Sequence, residues 1–372
     1  MRSSLLRPKR RADFLFANFD DDTILYHPEW MTAFALNATA VSIWQLCDGA
    51  RTIAEMVELL QDVYPEEAAT VSEQVEATLR TLTSHGVVEL PRLGPIAAAF
   101  DVELGGATAR LEADDEAAAK ILDFLCAAMA TGQPAEGAVV FRLGPGTEAD
   151  SIAVYRDDAM LYQDPSAGGA AAILLEKLQD HLVQHCTSGI LLHAAALACG
   201  GRSLLLAGKT GAGKTTLATW LVRRGCDYLT DELVWIDASG TRLRGFARPL
   251  HLKTEASQLF AALFAPPENN AVAETAHGHH VSPLRLGVRA LRDAHPDILV
   301  FPIYTPGARF DFRRLSRANG ASRTMGCLVN ARSRTLHGFD DVARFACEVS
   351  AYSMIYSDLD EAGRQLEALL TS

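Results

Sequence analysis

The run Leu204-Leu205-Leu206-Ala207-Gly208-Lys209-Thr210-Gly211-Ala212-Gly213-Lys214-Thr215 limits what this chain can fold into more than any other stretch. Four apolar residues suit a short buried strand. The helical pattern beginning at Lys214 reaches about Arg224, where Gly225 stops it. Between strand and helix, Gly-x-x-x-x-Gly-Lys-Thr fills every position of the Walker A pattern in the setting that gives the pattern its meaning. Gly208, Gly211 and Gly213 allow backbone N–H groups to turn inward around an anion, and the positive end of the following helix points the same way. Lys214 is placed to reach β- and γ-phosphates, Thr215 to ligate Mg²⁺, and Thr216 to continue the cradle. ATP and Mg²⁺ are the expected ligands. Strand patterns recur at 228–230, 233–236, 243–246, 250–253 and 298–304, with helical ones at 340–352 and 359–370, so the C-terminal half is expected to be α/β.

Three further groups are candidates for chemistry. Asp231-Glu232 follows an apolar pair at a strand end, seventeen residues past Lys214. The two acids read either as a Mg²⁺ ligand and proton acceptor or as surface residues opening the next strand. His193 lies among Ile190-Leu191-Leu192 and Ala194-Ala195-Ala196. By itself it reads as a core histidine. Arg248, Lys253 and Arg309 either stabilise a transferring phosphoryl group or are solvated surface cations. His277, His279 and His280 have no acid or cysteine spaced to complete a metal site and read as a polar loop.

Ahead of this half, patterns at 14–19 and 23–26 read as short strands and 31–36 as a third, with Asn37 as a helix cap. Helical patterns follow at 38–47, 52–63 and 70–85. The second opens with Thr52 and Glu55, a capping box, and places Ile53, Met56, Val57 and Leu60 on one face. A closing strand at 87–90 completes a small winged-helix-like module over residues 13–92. Residues 1–12, with five basic side chains, read as a solvated tail. Residues 96–189, with an expected strand at 100–111, read as the leading subdomain of the catalytic domain at 190–372.

Acids outnumber bases by 46 to 34 in 372 residues, a net charge of −12. Between 12 and 92 three bases (Arg51, Arg80, Arg92) face fourteen acids, which removes nucleic acid as a partner for that module. The longest apolar stretch is too short to span a bilayer, and seven scattered cysteines without a Cys-x-x-Cys imply reduced thiols and a cytoplasmic setting.

With Leu192-His193, the phosphate loop and Arg224-Gly225-Cys226-Asp227-Tyr228-Leu229-Thr230-Asp231-Glu232 in view, the second half resembles the HPr serine kinase/phosphorylase superfamily, which includes ATP-dependent phosphoenolpyruvate carboxykinase. The resemblance implies an HPr kinase-like fold, Asp231 as catalytic base, Glu232 in the place of a second aspartate near Mg²⁺, and His193 in the active site. Ala247-Arg248-Pro249-Leu250-His251-Leu252-Lys253 stands where HPr kinases carry a Glu-x-Arg-Gly-x-Gly-type signature. That makes the chain more similar to the HPr-kinase-related proteins of peptide-modification gene clusters, including those that phosphorylate lasso-peptide precursors.

Leu36-Asn37-Ala38-Thr39-Ala40, then 46–55, then Leu82 and Gly86-Val87-Val88-Glu89-Leu90, resemble a PqqD-type RiPP recognition element. The resemblance implies capture of a leader peptide as an added strand, here between residues 31–36 and 70–85. The joint expectation is a kinase acting on a Ser or Thr hydroxyl of a ribosomally made precursor, with a homo-oligomer open. Small-molecule or carrier-protein kinases, and a nucleotide-gated binding module, are the other readings.

Overall fold

The computed structural model describes residues 6–19, 22–28, 31–91, 94–127, 129, 137–148, 151–260, 272–275, 278–286 and 289–371. Its contacts divide the chain into two units. Met1–Ala99, Arg110–Leu122 and Val139–Leu175 form the first; Phe100–Ala109, Asp123–Ala138 and Glu176–Ser372 form the second.

The first unit begins with β1 (Lys9–Arg10), β2 (Leu15–Phe19), β3 (Asp22–His27), β4 (Thr32–Asn37), α1 (Ala38–Leu46), α2 (Ile53–Val63), α3 (Ala68–Ser84) and β5 (Val88–Glu89). β2, β3 and β4 form an antiparallel sheet in that order, which leaves β4 at an edge. Asn37 caps α1 by accepting from the Ala40 N–H at 2.9 Å, and Thr52 and Glu55 close a capping box on α2. The helices bury Ile43, Met56, Val75 and Leu79 in one core.

The expected basic tail is corrected from residue 6 onward. Leu6 is fully buried and its carbonyl accepts from the Ile53 N–H. β1 pairs with β5, and the Arg10 guanidinium sits 5.1 Å from the centre of the Trp44 ring. Arg10 covers an aromatic and Arg11 pairs with Asp13, while Arg7 and Lys9 stay exposed on an ordered segment.

The chain continues through β6 (Ala98–Leu104), β7 (Ala107–Ala113), α4 (Glu116–Cys126), β8 (Val139–Pro145), β9 (Ile152–Arg156), β10 (Ala159–Asp164) and α5 (Ala167–His185). One strand expected over 100–111 is instead a hairpin. Gly105 and Gly106 turn it with φ of 60° and 85°, both angles a two-residue hairpin turn of this hand requires. Nor does 96–189 form one subdomain. Ala153, Tyr155 and Met160 share the core of α1–α3, and buried Arg142 joins Asp114, the Leu90 carbonyl and the face of Tyr155.

The second unit holds β11 (Ile190–Cys199), β12 (Arg202–Ala207), α6 (Lys214–Arg223), β13 (Asp227–Thr230), β14 (Leu233–Ile236), β15 (Leu243–Gly245), β16 (Leu250–Lys253) and α7 (Thr254–Leu259). It goes on through β17 (Val272–Thr275), β18 (Gly278–Val281), β19 (Asp293–Ala294), β20 (Ile298–Tyr304), β21 (Asp311–Arg314), α8 (Arg317–Met325), α9 (Phe339–Glu348), β22 (Ser350–Tyr356) and α10 (Leu359–Thr371). The main sheet runs β19-β15-β14-β11-β12-β20-β22-β21, with β13 also on β11. β12, β20 and β22 are mutually parallel, as strand–loop–helix connections require. Leu204 and Leu206 face α6 and α10, while Leu205 and Leu299 face α9. Burial on both faces explains why these strands read as unbroken apolar runs.

Two more expectations are corrected here. The helix expected over 340–352 ends at Glu348, and Ser350–Tyr356 is β22, a strand paired on both sides, by β20 and β21. The histidine cluster is not a loop: His279 and His280 lie in β18, which pairs with β16 and β17. His277 lies outside the described residues.

Candidate active site

The loop between β12 and α6 owes its shape to one position above all. Gly213 is the N-cap of α6 at φ 88°, and a Cβ there would collide with the Tyr356 hydroxyl. A left-handed backbone and a wall on the missing side chain together require glycine. Within the loop the Ala212 N–H donates to the Lys209 carbonyl, and α6 starts at Lys214 with Thr215 and Thr216 in its first turn. The Lys214 ammonium folds back on its own loop, donating to the Gly208 and Lys209 carbonyls at 2.8 and 3.2 Å. Burial holds its pKa below the usual lysine value, against the pull of Glu232 and Asp231.

The two acids arrive through a strand interruption. β13 and β14 both pair antiparallel with β11, one after the other, and Asp231-Glu232 lie in the break between them. The Thr230 hydroxyl accepts from the Glu232 and Leu233 N–H groups and donates to the Phe246 carbonyl, which fixes the break. An interruption of this kind re-aims side chains that a regular ladder would send to alternate faces.

Register then brings in the histidine. His193 lies opposite Leu233, and its Nδ1 is 3.0 Å from the Glu232 carboxylate. Arg248, just before β16, reaches both acids: its Nη2 donates to Glu232 at 2.8 Å and its Nε is 3.7 Å from Asp231. Asp231, 1% exposed, also accepts from the Tyr228 hydroxyl at 3.0 Å and the His251 N–H at 3.2 Å. Burial pushes the Glu232 carboxyl up, but the His193 hydrogen bond and the Arg248 charge outweigh it and bring it down to about 2. Glu232 is therefore a fixed anion at neutral pH.

His193, Lys214, Thr215, Thr216, Asp231 and Glu232 all line one cavity of about 980 Å³, with Thr210, Gly211 and Gly213. Of the three cations weighed from sequence, Arg248 and Lys253 line it and Arg309 does not. The cavity also has an aromatic side, with Trp220, Phe260, Tyr304 and Tyr356, that no local sequence signal marked. Among the described residues no group of three or more His, Cys, Asp or Glu could hold a metal by itself. The available donors are hard oxygens, the Thr215 hydroxyl and the two carboxylates. That set suits Mg²⁺, which takes one or two carboxylates and completes its shell with phosphate and water.

Behind the cavity wall, the His280 ring lies 4.8 Å from that of His251, and its Nδ1 has no hydrogen-bond partner among the described residues. Burial, then the neighbouring His251 and Arg248, bring His280 down to about 3 from an ordinary 6.5. The folded chain thus refuses a proton that the unfolded chain takes up near 6.5. This contribution to stability is complete above 6.5 and is lost as pH falls toward 3, with a slope of up to about 1.4 kcal/mol per pH unit. Denaturant titrations between pH 7 and 4 are expected to be less pH-dependent for His280→Leu than for the native chain. Equal slopes would mean that His280 is protonated in the folded state.

The fold and site define a P-loop α/β protein with an N-terminal module of another class. That module is PqqD-like: residues 22–88 match the family described as Coenzyme PQQ synthesis protein D (PqqD). Two solved structures are similar. One, described as TbiB1 in complex with the TbiA(beta) leader peptide, is 27% identical and covers 22% of this chain and 94% of its own, with a TM-score of 0.20. The other, the Hpr(Ser) kinase/phosphatase from Coxiella burnetii, is 13% identical and covers 49% of this chain and 93% of its own, with a TM-score of 0.26. At these TM-scores neither likeness bears on function. None of the curated proteins matches the chain in sequence. Among the described residues no helix is long and apolar enough to cross a membrane.

Proposed function

We propose that this protein is an ATP-dependent kinase for a Ser or Thr hydroxyl of a ribosomally made precursor peptide, which its PqqD-like module captures by the leader. The observation that carries the reading is the meeting of the Gly208–Thr215 loop with Asp231, Glu232 and His193 in one cavity. Those residues are the ones the resemblance to HPr-type kinases assigns to chemistry. The loop amides and Lys214 hold the β- and γ-phosphates, and Lys214 exchanges its loop carbonyls for phosphate oxygens. Thr215 and Glu232, with Asp231 through water, would hold Mg²⁺, which would supply positive charge to neutralise the transferring group.

Asp231 accepts the proton of the attacking hydroxyl while Tyr228 and the His251 N–H keep its carboxylate aimed. His193 fixes the rotamer of Glu232, and Arg248 keeps two carboxylates compatible at close range.

The leader pairs with the open edge of β4, where Ala33 and Ala35 are exposed, against α3, whose C-cap residue His85 has its ring centre 4.9 Å from that of Phe34. Binding through the leader raises the local concentration of the acceptor hydroxyl at the cavity. Deleting residues 1–92 would open the core they share with β9 and β10, so the substrate has to be truncated instead. With a precursor peptide that the intact enzyme accepts, removal of its leader is expected to lower kcat/KM by about 10²-fold. Equal kcat/KM on full-length and leaderless substrate would remove leader capture from the account.

A further inference from the structure

Between residues 305 and 339 the chain carries seven arginines, one acid (Asp311) and no lysine, although its net charge is −12. Four of the seven, Arg309, Arg313, Arg314 and Arg317, are exposed and lie on β21 or beside it. β21 ends the main sheet. It pairs with β22 on one side, and no strand among the described residues pairs with its other side.

Register sets where this open edge begins. Asp311 lies opposite Ile355, next to Tyr356, whose hydroxyl stands against Gly213 of the phosphate loop. The connection from β20 to β21 crosses the C-terminal end of β22. Tyr304 at its start lines the cavity, the Thr305 N–H donates to the Tyr356 carbonyl at 2.9 Å, and the Ser357 hydroxyl donates to the Ala308 carbonyl at 2.9 Å. One end of the edge therefore lies at the cavity, beside the loop that holds the phosphates.

We propose that β21 is the docking edge for the acceptor part of the substrate, an extended acidic peptide that adds as a further strand and delivers its hydroxyl residue to the cavity. This rests on the kinase reading of the same site. An extended peptide satisfies the unpaired backbone groups of β21 and takes its register from them. Arg313 and Arg314 are consecutive on β21 and so serve both faces of the edge; Arg313 also donates to Asp311 of its own strand at 2.7 Å, and guanidinium forks match carboxylates in two-point contacts. Like charges would oppose one another if two copies paired through β21, so the edge stays open to an acidic strand and closed to itself. A nucleic acid would meet the same arginines but has no peptide ladder to match the edge.

The test uses the intact chain with Mg-ATP and a precursor peptide that it phosphorylates. Arg313→Glu/Arg314→Glu is expected to raise the precursor KM about tenfold with kcat and the KM for ATP unchanged. Added salt should raise the native KM and not that of the variant. An unchanged precursor KM overturns the proposal.

A second arm reads the edge without chemistry, by anisotropy of a fluorescein-labelled octapeptide of alternating Glu and Val. Tighter binding to the native chain than to the charge-reversed one supports the docking edge. Equal binding overturns it, as does a variant that loses a labelled oligouridylate but keeps the octapeptide. If the native chain transfers no phosphate, the kinase reading fails while the octapeptide still decides the edge.

Discussion

Replacing Asp231 with Asn is expected to abolish phosphate transfer while leaving ATP bound. The substitution keeps the shape of a side chain that is 1% exposed; the His251 N–H retains an oxygen acceptor, and the Tyr228 hydroxyl, which also donates to the Arg248 carbonyl, can accept from the new amide. What disappears is the capacity to take a proton from the attacking hydroxyl. General-base catalysis contributes about 10²–10⁴-fold, and kcat should fall by that much. Nucleotide affinity should stay within about threefold, since the phosphates are held by the loop amides and Lys214 and ground-state binding is a separate quantity. Calorimetry for ATP, set beside single-turnover transfer, separates the two. A variant with native kcat would move the base elsewhere, and Glu232, held near 2 by His193 and Arg248, is a poor replacement because so weak a base takes few protons.

The second large effect runs in opposite directions for activity and stability. Lys214 is 6% exposed, and in this structure its ammonium is hydrogen-bonded to two loop carbonyls. Its lowered pKa records what burial costs the charge. Lys214→Met keeps the stem and removes the charge, so kcat/KM should fall about 10²–10³-fold for want of a cation on the β/γ oxygens. The nucleotide-free protein should melt at the same temperature or higher, because a buried cation that makes no direct ion pair among the described residues, and whose burial outweighs the pull of Glu232 and Asp231, is replaced by an apolar group. Differential scanning fluorimetry of both proteins, with and without Mg-ATP, reads this directly. A lower melting point without nucleotide would mean that Lys214 is structural.

The phosphate loop was legible in the sequence because its requirements are local: glycine where φ is positive, lysine and threonine at the first turn of a helix. Asn37 and the Thr52/Glu55 box were legible for the same reason. The pairing of His193 with Glu232 had no local signal, since it depends on the register of β11 against β14 across forty residues. Arg248 was ambiguous from sequence because nothing nearby says that β16 begins beside the two acids.

The misread segments also have causes. Phe345, Val349 and Tyr352 fall at helical spacing, so the pattern of α9 runs into β22, although the chain turns extended at Val349. The Gly105-Gly106 pair was a hairpin signal inside an otherwise strand-like run. Leu6 anchors a segment whose arginines suggested a free tail, and an apolar residue among bases carries little weight until its pocket is known.

The most direct measurement combines γ-labelled ATP, Mg²⁺, the intact protein and any short peptide encoded beside its gene, followed by mass spectrometry of that peptide. Label on the peptide is expected, with a phosphate-sized mass gain that maps to a Ser or Thr outside the leader. ATP bound, with no label and no mass gain on that peptide, would contradict the kinase reading.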